Sequence, residues 1–353
     1  MAMESTSSNP FFGDIKPILN SQQLIDVVFK KAMKASSSGN LKISPVMKVR
    51  RTEAKRVLTC AKLFRDRINN ITMLFPNLNE IPQFYIDSIE VIFGIDRLKR
   101  ILGSLSGTNK VIWRIHREQT SIIWHSTVFE AKKSRRSAFS RFASVIKKLN
   151  SRFIELEELR LSIRKWPVFN FESPIFVISG FPNVGKSSFI KSLTKANPEV
   201  ADYPFTTKGV SIGHYIDSDS PYIYWQLVDT PGILDRSSNE RNEIEKTAIA
   251  AILNLPTLLL FLFDPTQNTD LDNQLNLFKE LELTVTKPII FIINKVDLIS
   301  KEELKIVTDL VATKGGINPE KIISLQANNR EVSISVIKKI IKTKLSSVQE
   351  NGN

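Results

Sequence analysis

The chain has 353 residues and a formal charge of +13, from 49 Lys and Arg against 36 Asp and Glu. Its single cysteine, Cys60, excludes an intrachain disulfide and a cysteine metal cluster, and His116, His125 and His214 do not form a ligand-spaced set. The longest apolar stretch, 248–263, is interrupted by Asn254 and Pro256, and residues 1–13 lack the apolar core of a secretion signal, so a cytoplasmic protein without stable membrane association is expected.

Residues 1–170 are poor in glycine and show helical periodicity over 22–35, 49–72, 81–94, 96–105, 106–150 and 152–164. Leu24, Val27, Val28 and Ala32 make one apolar stripe, and Val57, Ala61, Leu63 and Phe64 contribute to another. This predicts an all-helical domain, a bundle, closed by the helix-breaking Trp166-Pro167-Val168-Phe169.

The charge divides at the same boundary. Residues 1–170 hold 30 basic and 14 acidic side chains, or +16, and residues 171–353 hold 19 and 22, or −3. The basic surplus is densest at Lys132-Lys133-Ser134-Arg135-Arg136, Arg141 and Lys147-Lys148, with a second group at Lys48, Arg50, Arg51, Lys55 and Arg56. Any one cluster reads equally as a solvated helix face. The asymmetry between the halves favours a polyanion such as RNA, with strong salt dependence. Trp113, Trp124 and Phe142 read as packing residues rather than stacking platforms.

From 171 to 353, apolar runs at 174–179, 209–216, 223–228, 257–263, 287–293 and 321–325 alternate with helical patterns at 186–194, 238–254, 270–282, 301–313 and 333–346. That alternation predicts an α/β domain with a mostly parallel six-stranded sheet and an antiparallel edge. After the first strand, Gly180-Phe181-Pro182-Asn183-Val184-Gly185-Lys186-Ser187 matches the P-loop pattern G-x-x-x-x-G-K-[ST]. Backbone N–H groups from Asn183 to Ser188 would curl around a diphosphate at the start of a helix. Lys186 would reach the β- and γ-phosphates, and the Ser187 hydroxyl would ligate Mg²⁺.

Three further segments follow in GTPase order. Tyr203-Pro204-Phe205-Thr206-Thr207 is a switch candidate, with Thr207 preferred over Thr206 as a Mg²⁺ ligand whose N–H faces the γ-phosphate. Asp229-Thr230-Pro231-Gly232 would hold Mg²⁺ through water and aim the Gly232 N–H at the γ-phosphate. Asn294-Lys295-Val296-Asp297 ends an apolar strand, and the Asp297 carboxylate would accept the two N–H donors that guanine has and adenine lacks. Ile233 and Leu234 stand where a water-orienting glutamine is common, so slow intrinsic GTP hydrolysis is expected, completed by a partner, an ion or another loop. Lys186, Thr207 and Gly232 are the candidate catalytic groups; Ser187 and Thr207 are the metal ligands. Ser324 and Leu325 are expected to contribute to the base loop.

These segments resemble the nucleolar GTP-binding protein family, in its archaeal-type form, within the Obg-like and HflX-like GTPases. The resemblance runs through Gly180–Ser188, Tyr203–Thr207, Asp229–Arg236 and Phe263–Thr266, and upstream through Arg50–Lys55, Phe75-Pro76, Gln83–Tyr85, Val91–Leu98 and Ser134–Phe142. Lys208 departs from it where leucine often follows the paired threonines, as does Ser324-Leu325-Gln326 where a Ser-Ala-Lys-like triplet is usual. The resemblance implies a GTP/GDP switch in large ribosomal subunit assembly. Its helical domain would lie on rRNA of a subunit precursor, and the protein would be monomeric off the ribosome. It also implies that Asn183 could hold a K⁺ ion beside the nucleotide. A GTPase of an RNA-modification system and a signalling GTPase are the alternatives.

Overall fold

The computed structural model describes residues 11–12, 16–36, 43–194, 198–203, 209–216, 224–229, 243–255, 257–266, 270–319 and 322–350. Its two compact units are not consecutive pieces of chain. Met1–Ile81 and Ile92–Arg164 form one; Pro82–Val91 and Lys165–Asn353 form the other.

The first unit is built from α1 (Ser21–Met33), α2 (Pro45–Leu74), α4 (Ile95–His125), α5 (Val128–Lys147) and α6 (Asn150–Ile163). Leu24, Ile25, Val28 and Ala32 of α1 face Val57, Ala61, Phe64 and Ile68 of α2, α4 and α5 adding Leu105, Ile112, Ala138 and Phe142 to the core. Spacings of three and four residues keep these side chains on one face of each helix. The helix starts are written locally: Asn20 with Gln23 and Thr127 with Glu130 form capping boxes, and Ser44 caps α2 ahead of Pro45.

One expected boundary moves. The sequence pattern breaks near 105 and then runs to 150, whereas α4 continues to His125 and the break falls at Ser126-Thr127. Gly103 and Gly107 tolerate the helix; the Thr127 cap starts a new one. Phe142 is core as expected, while Trp124 is partly exposed and Trp113 lies under the Arg65 guanidinium at 5.4 Å.

The helix α3 (Gln83–Ile92) lies within the 1–170 segment but packs in the second unit. Phe84 stacks on Tyr203 at 5.6 Å and meets Phe169 edge-on at 5.2 Å, and the Tyr85 hydroxyl donates to the Pro167 carbonyl at 3.0 Å.

In the second unit a seven-stranded sheet has the order β2-β3-β4-β1-β5-β6-β7. The strands are β1 (Ile175–Gly180), β2 (Glu199–Ala201), β3 (Val210–Ile216), β4 (Tyr224–Asp229), β5 (Leu258–Phe263), β6 (Ile289–Ile293) and β7 (Ile322–Ser324). From β4 to β7 all pairings are parallel, while β3 runs antiparallel to β4 and β2 antiparallel to β3. The seventh strand is β2, three residues long, with no apolar run to announce it. Helices α7 (Lys186–Leu193), α8 (Glu243–Asn254), α9 (Leu271–Thr284), α10 (Lys301–Gly315) and α11 (Arg330–Glu350) complete the unit. Strands β1 and β5 are buried along their whole length, as parallel strands covered on both faces must be.

Candidate nucleotide site and basic helical face

The turn from β1 into α7 has the backbone of an anion cradle. Gly180 sits at φ 142°, where a Cβ would fall on the Leu262 carbonyl oxygen, and Gly185 sits at φ 99°, where one would fall on the Asn294 amide. Neither position admits a side chain. Asn183 takes the left-handed φ of 66° and is exposed at the tip of the loop. The Lys186 ammonium folds back over this loop and donates to the Gly180 and Phe181 carbonyls at 2.8 and 2.9 Å. A nucleotide phosphate offers the stronger, charged acceptor for those same protons.

Ser187 lies in the first turn of α7, and Asp229 ends β4 beside it. The Ser187 hydroxyl donates to Asp229 Oδ2 at 2.8 Å, so two oxygen ligands suited to Mg²⁺ converge at the mouth of the cradle. Among the described residues no cluster of three or more His, Cys, Asp or Glu could hold a metal ion. A hydroxyl, one carboxylate and nucleotide phosphates fit a cation that keeps much of its water shell. Thr206, Thr207, Gly232, Ile233 and Leu234 lie outside the described residues.

The Asn294–Asp297 turn divides its labour. Asn294, buried, donates from Nδ2 to the Val184 carbonyl at 2.8 Å, and its Oδ1 accepts the Ala327 N–H at 2.9 Å. It ties the P-loop to the segment after β7. Lys295, at φ 56°, places its ammonium 2.6 Å from Asp264 Oδ2. Asp297 is exposed on the one-turn helix Val296–Leu298, where its carboxylate can meet a base.

Asp264, at the end of β5, was legible only as part of the Phe263–Thr266 resemblance. It is 2 % exposed. Burial raises its carboxyl pKa, but hydrogen bonds from Lys295 and Thr266 outweigh that and hold it below the ordinary aspartate value. Its backbone is fixed from both sides by the buried Gln274 side chain, with both contacts at 2.9 Å. Sequence reading missed Gln274 altogether, since a glutamine in a helical pattern carries no signal until its partner is known.

Ser324 and Leu325, expected in the base loop, stand at the end of β7 and just after it. Leu325 is fully buried in the core and its N–H donates to the Ile293 carbonyl at 2.8 Å; Ser324 is exposed at the end of β7. The large side chain that replaces a small residue in the triplet is thus a core side chain.

In the helical unit the basic residues fall into two kinds. Arg135 donates to Glu53 Oε2 at 2.6 Å, and Arg56 to Glu53 Oε1 at 2.8 Å, with the Glu53 side chain 4 % exposed. Arg141 pairs with Glu118 at 2.7 Å. Lys132, Lys133, Arg136, Lys147 and Lys148 are exposed and form no ion pair among the described residues. Cys60 is buried in α2, and burial pushes its thiol pKa up.

A mostly parallel sheet carrying a P-loop, an adjacent Ser–Asp pair and an Asn-Lys-x-Asp turn at strand ends defines a P-loop GTPase. Residues 175–295 match the family described as 50S ribosome-binding GTPase, and residues 12–170 match the NOG1 N-terminal helical domain. The chain is similar to nucleolar GTP-binding protein 1 of Drosophila melanogaster, at 30 % identity over 93 % of this chain and 50 % of that one. It is similar to the uncharacterized protein MJ1408 of Methanocaldococcus jannaschii, at 32 % identity over 85 % of both chains. A crystal structure from Plasmodium falciparum, provisionally called nucleolar GTP-binding protein 1, aligns with 52 % of this chain and 95 % of its own at 26 % identity and a TM-score of 0.41. The chain belongs to the nucleolar GTP-binding protein 1 family. It spans about half the length of the eukaryotic relatives named here and in the same group.

Proposed function

We propose that this chain is a slow GTPase switch in assembly of the large ribosomal subunit, holding rRNA of a precursor particle through its basic helical unit. The observation that carries the nucleotide half is the convergence of Lys186, Ser187 and Asp229 on one glycine-walled cradle, with Asp297 free to select the base. The charge of +16 on residues 1–170 supports the RNA half.

In this reading GTP seats its phosphates on the N–H groups of Asn183 to Ser188. Lys186 leaves the Gly180 and Phe181 carbonyls for the β- and γ-phosphates. Ser187 and Thr207 would hold Mg²⁺, with Asp229 acting through a water; the ion supplies charge neutralisation between the β- and γ-phosphates. Gly232 donates its N–H to the γ-phosphate, and water attacks in line to give GDP and phosphate. Asp297 accepts the guanine N1–H and amino group. With Ile233 and Leu234 after Gly232, no side chain there orients the water, and turnover waits for a partner or an ion.

No helix among the described residues is long and apolar enough to cross a membrane. Sedimentation of native extract tests the reading. Co-migration with large-subunit precursors, lost in high salt, supports assembly work. Recovery only with membranes, or with a bound small-molecule cofactor, favours a signalling or RNA-modification GTPase instead.

A further inference from the structure

We infer that the outer face of α5 is a seat for double-stranded, A-form RNA, resting on the RNA-binding reading above and narrowing it to one helix and one form of the polymer. Phe129, Lys133, Arg136, Ser140, Ser144 and Lys147 follow one another at intervals of three or four residues and are all exposed. Such spacing puts them on one line along the helix. Lys132, Ser137 and Lys148 flank that line and are exposed too. Arg135, Ser134 and Arg141 point elsewhere, toward Glu53, Gln119 and Glu118.

The stripe has a definite order. Lys132, Lys133 and Arg136 stand at one end and Lys147 and Lys148 at the other, roughly 20 Å apart at 1.5 Å per residue. Between them the fully exposed positions are Ser137, Ser140 and Ser144, short enough to let the backbone approach a surface closely. The one acid of α5, Glu130, is engaged by its Thr127 cap, within electrostatic reach of Lys133. Phe129, 77 % exposed, is the one large apolar side chain on the line and sits beyond the first cation group.

Two groups of cations separated by a hydroxyl-bearing stretch match two phosphate rails separated by a shallow groove lined with 2′-hydroxyls. That is the minor groove of A-form RNA. The minor groove of B-DNA is too narrow to admit a helix and has no 2′-hydroxyl, while its major groove is read by bidentate Arg, Asn or Gln contacts to base edges, and the exposed positions between the two cation groups here are Ser137, Ser140 and Ser144. Single strands are held on interleaved aromatic platforms, and here only Phe129 qualifies. A membrane surface calls for an apolar face opposite a basic one, and the opposite face of α5 is core.

The test is fluorescence anisotropy on the full chain, with a labelled RNA hairpin, the same sequence as DNA, and a single-stranded RNA, over a range of salt. The hairpin RNA is expected to bind about tenfold tighter than the DNA, the worth of one or two hydrogen bonds. Lys132→Glu with Lys133→Glu and Arg136→Glu should flatten the logarithmic salt slope by roughly three, one per lost phosphate contact. Lys147→Glu with Lys148→Glu should do the same at the other end by roughly two. Ser140→Ala with Ser144→Ala should erase the preference for RNA over DNA and leave DNA binding unchanged. Equal affinity for the RNA and DNA hairpins, tighter binding of the single strand, or capture on anionic vesicles as strong as on RNA would overturn the inference. Full RNA affinity in both charge reversals would overturn it while leaving RNA binding in place. Failure of the wild-type chain to bind any RNA would overturn the broader reading as well.

Discussion

The Nε of Arg135 on α5 lies 2.6 Å from a carboxylate oxygen of Glu53 on α2, a side chain almost sealed from solvent. The basic run Lys132–Arg136 therefore contains a residue that clamps two helices of the core. A glutamate at 135 would set a second carboxylate against buried Glu53, which keeps Arg56 as its partner, and breaking a buried pair from one side costs about 3 to 5 kcal/mol. Arg135→Glu is expected to cost at least this much in chemical denaturation, and Lys133→Glu to stay within about 0.5 kcal/mol of the parent. Equal effects would show that the pair carries no weight.

Asp264 holds Lys295 in place, so Asp264→Asn should weaken GDP binding by about tenfold, the worth of one charged hydrogen bond. The effect should vanish in a Lys295→Met background, which isothermal calorimetry on all four proteins of the double-mutant cycle reads directly. Independent, additive losses would reduce Asp264 to a packing role. The pair also sets a pH dependence. A carboxyl held below its unfolded value of 3.8 contributes stability that is present above that pH and lost as the pH falls through the folded value.

Exposed Asp297 is expected to confer guanine selectivity, with GTP and GDP bound far more tightly than ATP. Asp297→Asn should exchange that preference for xanthine nucleotides, because an amide reverses one hydrogen bond of the pair. Calorimetry showing equal affinity for ATP and GTP in the parent would remove guanine recognition from this turn.

The exposed, left-handed Asn183 can offer its amide oxygen to a cation beside the phosphates, and a K⁺ there would offset developing charge much as an arginine does. Hydrolysis should then run faster in potassium than in sodium at equal ionic strength. Asn183→Ser should abolish the difference and leave GTP affinity nearly intact. Identical rates in the two salts, with and without ribosomal subunits, would point to a catalytic group from the partner.

Gly185→Ala should disable nucleotide binding without touching phosphate chemistry directly. Its Cβ would strike the Asn294 amide that braces the Val184 carbonyl, at a φ that L residues avoid. Loss of fluorescent GDP binding with the helical unit still folded is expected; normal affinity would mean the loop has another way to close.

Local chemistry accounts for much of what the chain announced in advance. Period-3.6 stripes and the strand-turn-helix of the P-loop are decided within a dozen residues, so most helices and strands were readable as text. Where the text misled, the deciding partner was distant. α4 runs past its glycines because its apolar side chains from Leu98 to Ile123 are buried, and β2 exists only because Val210 and Ile212 offer it an edge.

By itself the sequence determined the fold class, the order of the GTPase motifs and the imbalance of charge, since each depends on composition or on residues close in the chain. Tertiary structure alone decided which cations are paired and which are presented, that α3 packs among the aromatic residues near Phe169 and Tyr203, and that Asp264 reaches Lys295. The last two rest on contacts far apart in the chain, between Phe84 and Tyr203 and between Asp264 and Lys295. A buried charge needs its partner within hydrogen-bond reach, and only folding can say which partner that is.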